Sequence, residues 1–256
     1  MFDLQEKGFT IIDNIFSEEE VNRITAKIAG TAEEATGITR ALAPTQATGP
    51  AFRQTADLFA IRQVLTAVPG IQPLVFTTRL NNIIHQVFGP DYFAVKSIYF
   101  DKPQVSNWFV AWHQDLTIGV DRRVDLPGFG PWTVKQNQFG VVPPLALLEN
   151  IFTIRIHLDD TDENNGALKV IPGSHRKGIY RPEPIDWTRE KEEICRVKRG
   201  GVMLMRPLLM HASGRTVNGN RRRVLHIEFS NQSLPDGLSW AETGFISPKT
   251  NETNPL

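Results

Sequence analysis

The chain has 256 residues, with 28 Lys+Arg against 28 Asp+Glu and 41% apolar residues. Zero net charge argues against the nonspecific electrostatic grip of nucleic-acid binders. No apolar run reaches the ~18 residues of a membrane helix, and one cysteine, Cys195, makes neither an internal disulfide nor a cysteine-only zinc site.

The N-terminus, MFDLQEKGFTIID, lacks the basic start and apolar core of a signal peptide, so a cytoplasmic globular protein is expected. The 17 Pro, 19 Gly and 15 Phe suit many turns and short strands better than a helical bundle. Phe9–Ile12 reads as a short strand. Ser17 with Glu20 forms a capping-box pattern before a helix that places Val21, Ile24 and Ile28 on one face. Residues 31–56, rich in Ala, Thr, Gly and Pro, read as loop or ragged helix. A second helix is expected over about 73–88, with Leu80, Ile83, Ile84 and Val87 on one face and Gly89-Pro90 as its stop.

Beyond Pro90 the texture turns to strands. Candidates are Tyr92–Phe100, Trp108–Trp112, Ile151–Leu158, Ala167–Ile171, Val202–Met210 and Val224–Phe229. Residues 119–149 look like a long irregular connection, which in a compact domain is functional or disordered. Residues 181–199 read as a surface excursion, and the chain looks loose from Pro235 onward. Helices first and then closely spaced strands fit a sandwich or barrel, not alternating βαβ units.

The chemistry concentrates in Trp112-His113-Gln114-Asp115. In an H-x-D at a strand exit, both side chains share a face and can point at one metal. His211 follows 98 residues later, at the end of the strand GVMLMRPLLMH. Two histidines and one carboxylate form the facial triad of non-haem Fe(II) oxygenases. Arg222, eleven residues past His211, suits bidentate binding of a dicarboxylate's distal carboxylate. Together these describe an iron site with a 2-oxoglutarate anchor.

The segments FDKP (100–103), WHQD (112–115), LDDTDENNGALKVIPGSH (158–175) and RPLLMHASGR (206–215) followed by RRRVLHIEF carry a resemblance over nearly the whole chain. The chain resembles the phytanoyl-CoA dioxygenase family of Fe(II)/2-oxoglutarate-dependent oxygenases. The resemblance implies a mainly β fold: a double-stranded β-helix, the cupin-like jelly-roll barrel, with N-terminal helices packed outside. It implies one domain over 1–256: a mostly helical flank (1–90), a jelly-roll core (91–232) and a candidate lid (119–149). It implies iron held by His113, Asp115 and His211, and 2-oxoglutarate held by Arg222 with Ser213. It implies a hydroxylase that consumes O2 and releases succinate and CO2. Related halogenases lose the carboxylate ligand, so the presence of Asp115 favours hydroxylation.

One departure concerns the strand before the LDD turn, where many relatives carry Trp and this chain has Arg155. Arg155 and His157 share the inward face, so an anion is expected there, 2-oxoglutarate itself or an acidic substrate. That places a long-chain acyl-CoA substrate in doubt. Lys96, Gln114, Trp132, Lys135 and His157 are the further substrate or lid candidates. His175, His85 and His226 read as structural, Asp159, Asp160 and Asp162 as turn chemistry, and Cys195 as unreactive. The expected partner is a small molecule, with neither nucleic acid nor membrane; the oligomeric state stays open. Two other readings share parts of the pattern: a cupin-like metal enzyme that does not use 2-oxoglutarate, and a non-catalytic ligand-binding barrel.

Overall fold

The computed structural model describes residues 2–41, 60–102, 109–135, 138–235, 237–242 and 245–246. In chain order the elements are α1 (Phe2–Glu6), β1 (Phe9–Ile12), α2 (Glu18–Ala41), β2 (Ala60–Arg62), α3 (Val64–Ala67), α4 (Gln72–Val75), α5 (Thr78–Phe88), β3 (Phe93–Lys102) and β4 (Val110–His113). There follow β5 (Ile118–Val120), β6 (Trp132–Lys135), β7 (Gln138–Val141), α6 (Leu145–Leu148), β8 (Phe152–His157), β9 (Leu168–Val170) and a 3₁₀ turn (Ser174–Lys177). Last come β10 (Glu193–Cys195), β11 (Val202–Met205), β12 (His211–Ser213), β13 (Arg222–Ser230) and β14 (Phe245–Ile246).

The fold is mainly antiparallel β. Seven strands make the main sheet in the order β1-β11-β8-β13-β3-β14, with β2 also on β3; β10-β9-β12-β4 form a second sheet and β5-β7-β6 a third. The described sheets do not join edge to edge into a closed barrel.

Cross-strand pairing sorts the main sheet's side chains into two faces, because directly paired residues point the same way. Ile227 on β13 faces Ser97 on β3 and Ile154 on β8, and Leu225 faces Tyr99 and Ile156. These pack under α2 to α5 with Val21, Ile24, Leu80 and Ile84 in one apolar core. The other face carries Lys96, Glu228 and Thr153 in one row, then Ile98, His226 and Arg155, then Phe100, Val224 and His157. At its β1-β11 end that face is apolar. There Phe9, Met203 and Met205 pack on Leu168 and Val170 of the second sheet.

The capping box forms as expected: the backbone N–H of Ser17 donates to Glu20 Oε2 at 2.7 Å, and that of Glu20 donates to Ser17 Oγ at 3.2 Å. The helix it starts runs to Ala41, so of the two readings of 31–56, loop or ragged helix, 31–41 take the helical one; 42–56 lie outside the described residues. The single helix expected over 73–88 is two. Thr77 is extended and its Oγ accepts from the Leu80 N–H, capping α5 and breaking the chain from α4.

Residues 119–149 are not an irregular connection. Short strands between Gly and Pro punctuation build the third sheet, whose Ile118, Val120 and Val141 bury against Leu148, Leu208 and Trp240. The 181–199 excursion contributes β10, which pairs with β9. The strand expected over 202–210 stops at Met205. Pro207 has no N–H for a ladder, and the chain crosses there to the second sheet, so His211 opens a strand and does not end one.

Candidate metal centre

β4 and β12 pair so that His113 and His211 stand directly opposite one another, ring centroids 4.2 Å apart. Asp115 leaves β4, and its N–H donates to the Pro207 carbonyl at 2.9 Å, tying the exit of β4 to the crossing that precedes β12. Each histidine is locked by a hydrogen bond to a carbonyl two residues back: His113 Nδ1 to Ala111 O at 2.7 Å, His211 Nδ1 to Leu209 O at 2.8 Å. A carbonyl only accepts, so both Nδ1 atoms carry the proton and both Nε2 lone pairs are bare.

Those Nε2 atoms face the two oxygens of one carboxylate. His113 Nε2 lies 3.8 Å from Asp115 Oδ1, and His211 Nε2 lies 3.7 Å from Asp115 Oδ2. These separations are too long for hydrogen bonds. Asp115 Oδ2 is buried without a hydrogen-bond partner. Three donor atoms converge on a point none of them fills, and a divalent metal fits that donor set. Electrostatics hold the set ready. Burial pushes the Asp115 carboxyl up, but His211, His226, Lys96 and His113 outweigh it and keep it below the usual carboxylate range. Burial drives His211 down to about 4, so it stays neutral, the form that ligates.

Around this point the inner face of the main sheet is charged and dry. Arg222 Nη1 donates to Gly166 O at 2.7 Å, while its Nε is buried and unpartnered. Burial first, then neighbouring Arg155, lowers Arg222 to about 9. Lys102, opposite Arg222 on β3, donates to Gly214 O and is lowered to about 8 by burial and by Arg222 and Arg215. Arg155 Nη1 donates to His226 Nδ1 at 2.9 Å, which leaves the His226 Nε2–H to donate to Glu228 Oε1 at 3.2 Å. The Arg155 Nε is also buried without a partner. An anion resting between these guanidiniums would relieve the burial of both.

Of the other sequence candidates, Ser213 is buried on β12 opposite Leu168. His157 faces inward; its Nδ1 lies 2.8 Å from Thr161 Oγ, and its Nε2 is buried without a partner. Lys96 is not a solvent-facing lysine: it donates to Glu228 Oε1 at 2.6 Å and to Thr117 O at 3.1 Å. Gln114 is held within the protein. Its amide is consumed by Gly178 O and Leu208 O, and its Oε1 accepts from the Tyr180 N–H. Trp132 packs against the core under the third sheet, and Lys135 projects at that sheet's edge.

Sequence reasoning read His226 as structural, left Lys102 without a role inside the FDKP segment and passed over Glu228. Asp115, His226 and Glu228 offer ligand-type atoms within 4.8 Å of one another. The signal was present: Arg222, Val224, His226 and Glu228 recur at period 2 along β13.

The family model for phytanoyl-CoA dioxygenase (PhyH) matches residues 4–224. An ectoine dioxygenase of Bordetella bronchiseptica is 27% identical over 175 residues, covering 68% of this chain and 48% of the relative; the chain thus spans about half that relative's length. A probable alpha-ketoglutarate-dependent hypophosphite dioxygenase of Stutzerimonas stutzeri is 24% identical over 241 residues, 88% of this chain and 75% of the relative. Among solved structures, EctD from S. alaskensis with bound Fe superposes with a TM-score of 0.65 at 19% identity, over 90% of this chain and 74% of that one.

Proposed function

Because the chain belongs to the phytanoyl-CoA dioxygenase family, we propose that it is an Fe(II)- and 2-oxoglutarate-dependent dioxygenase hydroxylating a small organic molecule. In this reading residues 1–256 make one cytoplasmic jelly-roll domain, a double-stranded β-helix with the third sheet as its lid. His113, Asp115 and His211 hold the iron. Arg222, with Ser213 and Arg155, holds 2-oxoglutarate. Bound there, Fe(II) supplies the redox chemistry that couples O2 to oxidative decarboxylation of the 2-oxo acid, with release of succinate and CO2.

The observation that carries the reading is the pair of Nδ1-locked histidines whose bare Nε2 atoms face a carboxylate at 3.7 and 3.8 Å. It is supported by the two buried guanidiniums behind them, each with an unpartnered Nε. The chain's own residues then have distinct tasks. The Ala111 and Leu209 carbonyls fix which imidazole nitrogen is offered. Arg222 orients an anion, and the Gly166 carbonyl fixes the guanidinium. Gln114, bonded to three separate backbone groups, ties the metal strand to the 178–180 turn and to Leu208. The buried residues behind the triad close its inner side to water, while His113 and Asp115, 39% and 22% exposed, leave its outer side open. Two relatives named for small polar substrates, ectoine and hypophosphite, support a small substrate over an acyl-CoA.

The test is anaerobic addition of Fe(II) and then 2-oxoglutarate, followed by visible absorption. The expected result is a weak metal-to-ligand charge-transfer band that is absent in His211→Ala and requires far more 2-oxoglutarate in Arg222→Met. Iron binding without any such band would reject the 2-oxoglutarate assignment.

A further inference from the structure

Arg215 closes the segment RPLLMHASGR, and the site described so far gives it no task. It is exposed, and its guanidinium carbon stands 5.7 Å from the centroid of the Phe109 ring, itself 60% exposed. From there a line of contacts runs inward. The Gly214 carbonyl, next to Arg215 in the chain, accepts from Lys102 Nζ. Lys102 stands directly opposite Arg222 in the pairing of β3 with β13. The Gly166 carbonyl accepts from Arg222 Nη1 at 2.7 Å. Gly166 passes so close to the row that a Cβ there would lie 2.9 Å from Gly214 O and 3.1 Å from Lys102 Nζ. Three cations thus stand in one row, with Arg215 in solvent, Lys102 behind it and Arg222 in the buried wall of the metal centre.

Like charges gathered in this way repel, and the carboxylates of the adjoining segments are already taken. Asp101 pairs with Arg221, Asp159 with Arg223 and Glu163 with Arg196. Among the described residues neither Arg215 nor Arg222 makes an ion pair, although both neighbours of Arg222 do. The row therefore keeps a positive field, open to solvent at one end and ending at the buried guanidinium at the other. A cleft lined by one sign of charge speeds the arrival of the opposite sign by about 10- to 1,000-fold. An exposed charge at the rim acts on that arrival and on its salt dependence, whereas a buried charge acts on departure.

We propose that Arg215 is the outer end of an entry path for the 2-oxoglutarate dianion, drawing it past Lys102 to Arg222 and setting the rate at which the site fills. The identity of the anion rests on the dioxygenase reading. Arg215 acts on the approach through its charge; the grip on the bound dianion belongs to Arg222.

The experiment is anaerobic stopped-flow mixing of the Fe(II)-loaded full chain with 2-oxoglutarate, following the charge-transfer band at a series of salt concentrations. 2-Oxopentanoate, of the same chain length with one charge fewer, is the second probe. The expected result is that Arg215→Gln slows association by about three- to tenfold at ~0.01 M salt, and that the gap closes toward ~1 M, where screening is nearly complete. Its dissociation rate, read by dilution, should change by no more than about twofold. Arg215→Glu should slow association further, and 2-oxopentanoate should respond less to either substitution. Arg23→Gln removes the same charge from an exposed position on α2, behind the outer face of the main sheet, and should associate at the parent's rate. The proposal is overturned if Arg215→Gln associates as fast as the parent at low salt, if Arg23→Gln is slowed equally, or if the loss lies in the dissociation rate. A band that forms at an unchanged rate in Arg215→Gln rejects the entry path and leaves the dioxygenase reading standing. Absence of the band in the parent protein rejects that reading and the path with it.

Discussion

The two faces of the main sheet are made by alternate residues of the same strands, and they differ in almost every property. On β8 the outward residues are Ile154 and Ile156, both fully buried under the helices; the inward ones are Thr153, Arg155 and His157. On β13 Leu225 and Ile227 point out, while Arg222, His226 and Glu228 point in. Period-2 alternation thus lets one backbone carry both jobs. The outer face stabilises by removing apolar surface from water. The inner face carries desolvated charge, including two guanidiniums with unpartnered Nε atoms, and that destabilises until a ligand arrives.

The sharpest way to test this division is to break each face and ask which property fails. Asp115→Ala or His211→Ala should lower 2-oxoglutarate turnover by about 10³-fold or more, equivalent to some 4 kcal/mol of transition-state stabilisation. Metal binding, read by titration with Fe(II) or a redox-silent surrogate, should go with it, while the melting temperature of the metal-free protein holds or rises. A large drop in that melting temperature would mean the triad is structural.

The outer face should answer in the opposite currency. Leu225→Ala removes a buried side chain packed among Tyr99, Ile156 and the helices and should destabilise by about 2–5 kcal/mol, read by urea unfolding. Per folded molecule, the affinity for 2-oxoglutarate should not change. If it did, the two faces would be coupled through the strand.

Arg222→Met sharpens the comparison on one strand, three residues before Leu225. Its expected effect is a rise of about 10- to 100-fold in the 2-oxoglutarate concentration needed for half-saturation, with stability unchanged or improved, because a buried cation gives way to an apolar side chain of similar length. The charge-transfer band and an unfolding curve measure the two effects separately.

How much of this was readable from the chain follows the same division. Local signals came through: the Ser17–Glu20 capping box, the H-x-D at the β4 exit, His211 and the positions of β3, β8 and β13. What failed depended on distant partners. Val202 to Met210 is apolar enough for one long strand, and only the neighbouring sheets decide that the chain leaves at Pro207. The third sheet hid in 119–149 because its strands run three or four residues between Gly and Pro, too short for a pattern. Thr77 reads as one more helix residue until its hydroxyl is seen capping α5. Gln114, beside both ligands in sequence, was a natural substrate candidate, yet tertiary contacts consume its amide. Glu242 lies in a stretch that looked loose, and nothing local says that it is carried to the middle of β3.

Glu242 also supplies the smallest of these effects and the one whose sign is least intuitive. Burial pushes its carboxyl up to about 7, against the downward pull of its Ser97 and Thr66 hydrogen bonds. Below about pH 4.5 the carboxyl is protonated in both the folded and the unfolded chain and contributes no difference. Between there and pH 7 the unfolded chain releases the proton while the folded chain keeps it, so this group's contribution to stability falls as pH rises, then levels off. Glu242→Gln cannot titrate and should therefore be more stable than the parent at pH 8, by about 1–2 kcal/mol. The gap should close toward pH 4.5. Urea unfolding of both proteins at pH 5 and pH 8 reads the difference directly, with other titrating groups cancelling between them. A variant less stable than the parent at pH 8 would mean that the Ser97 and Thr66 hydrogen bonds hold the charged carboxylate more strongly than burial opposes it.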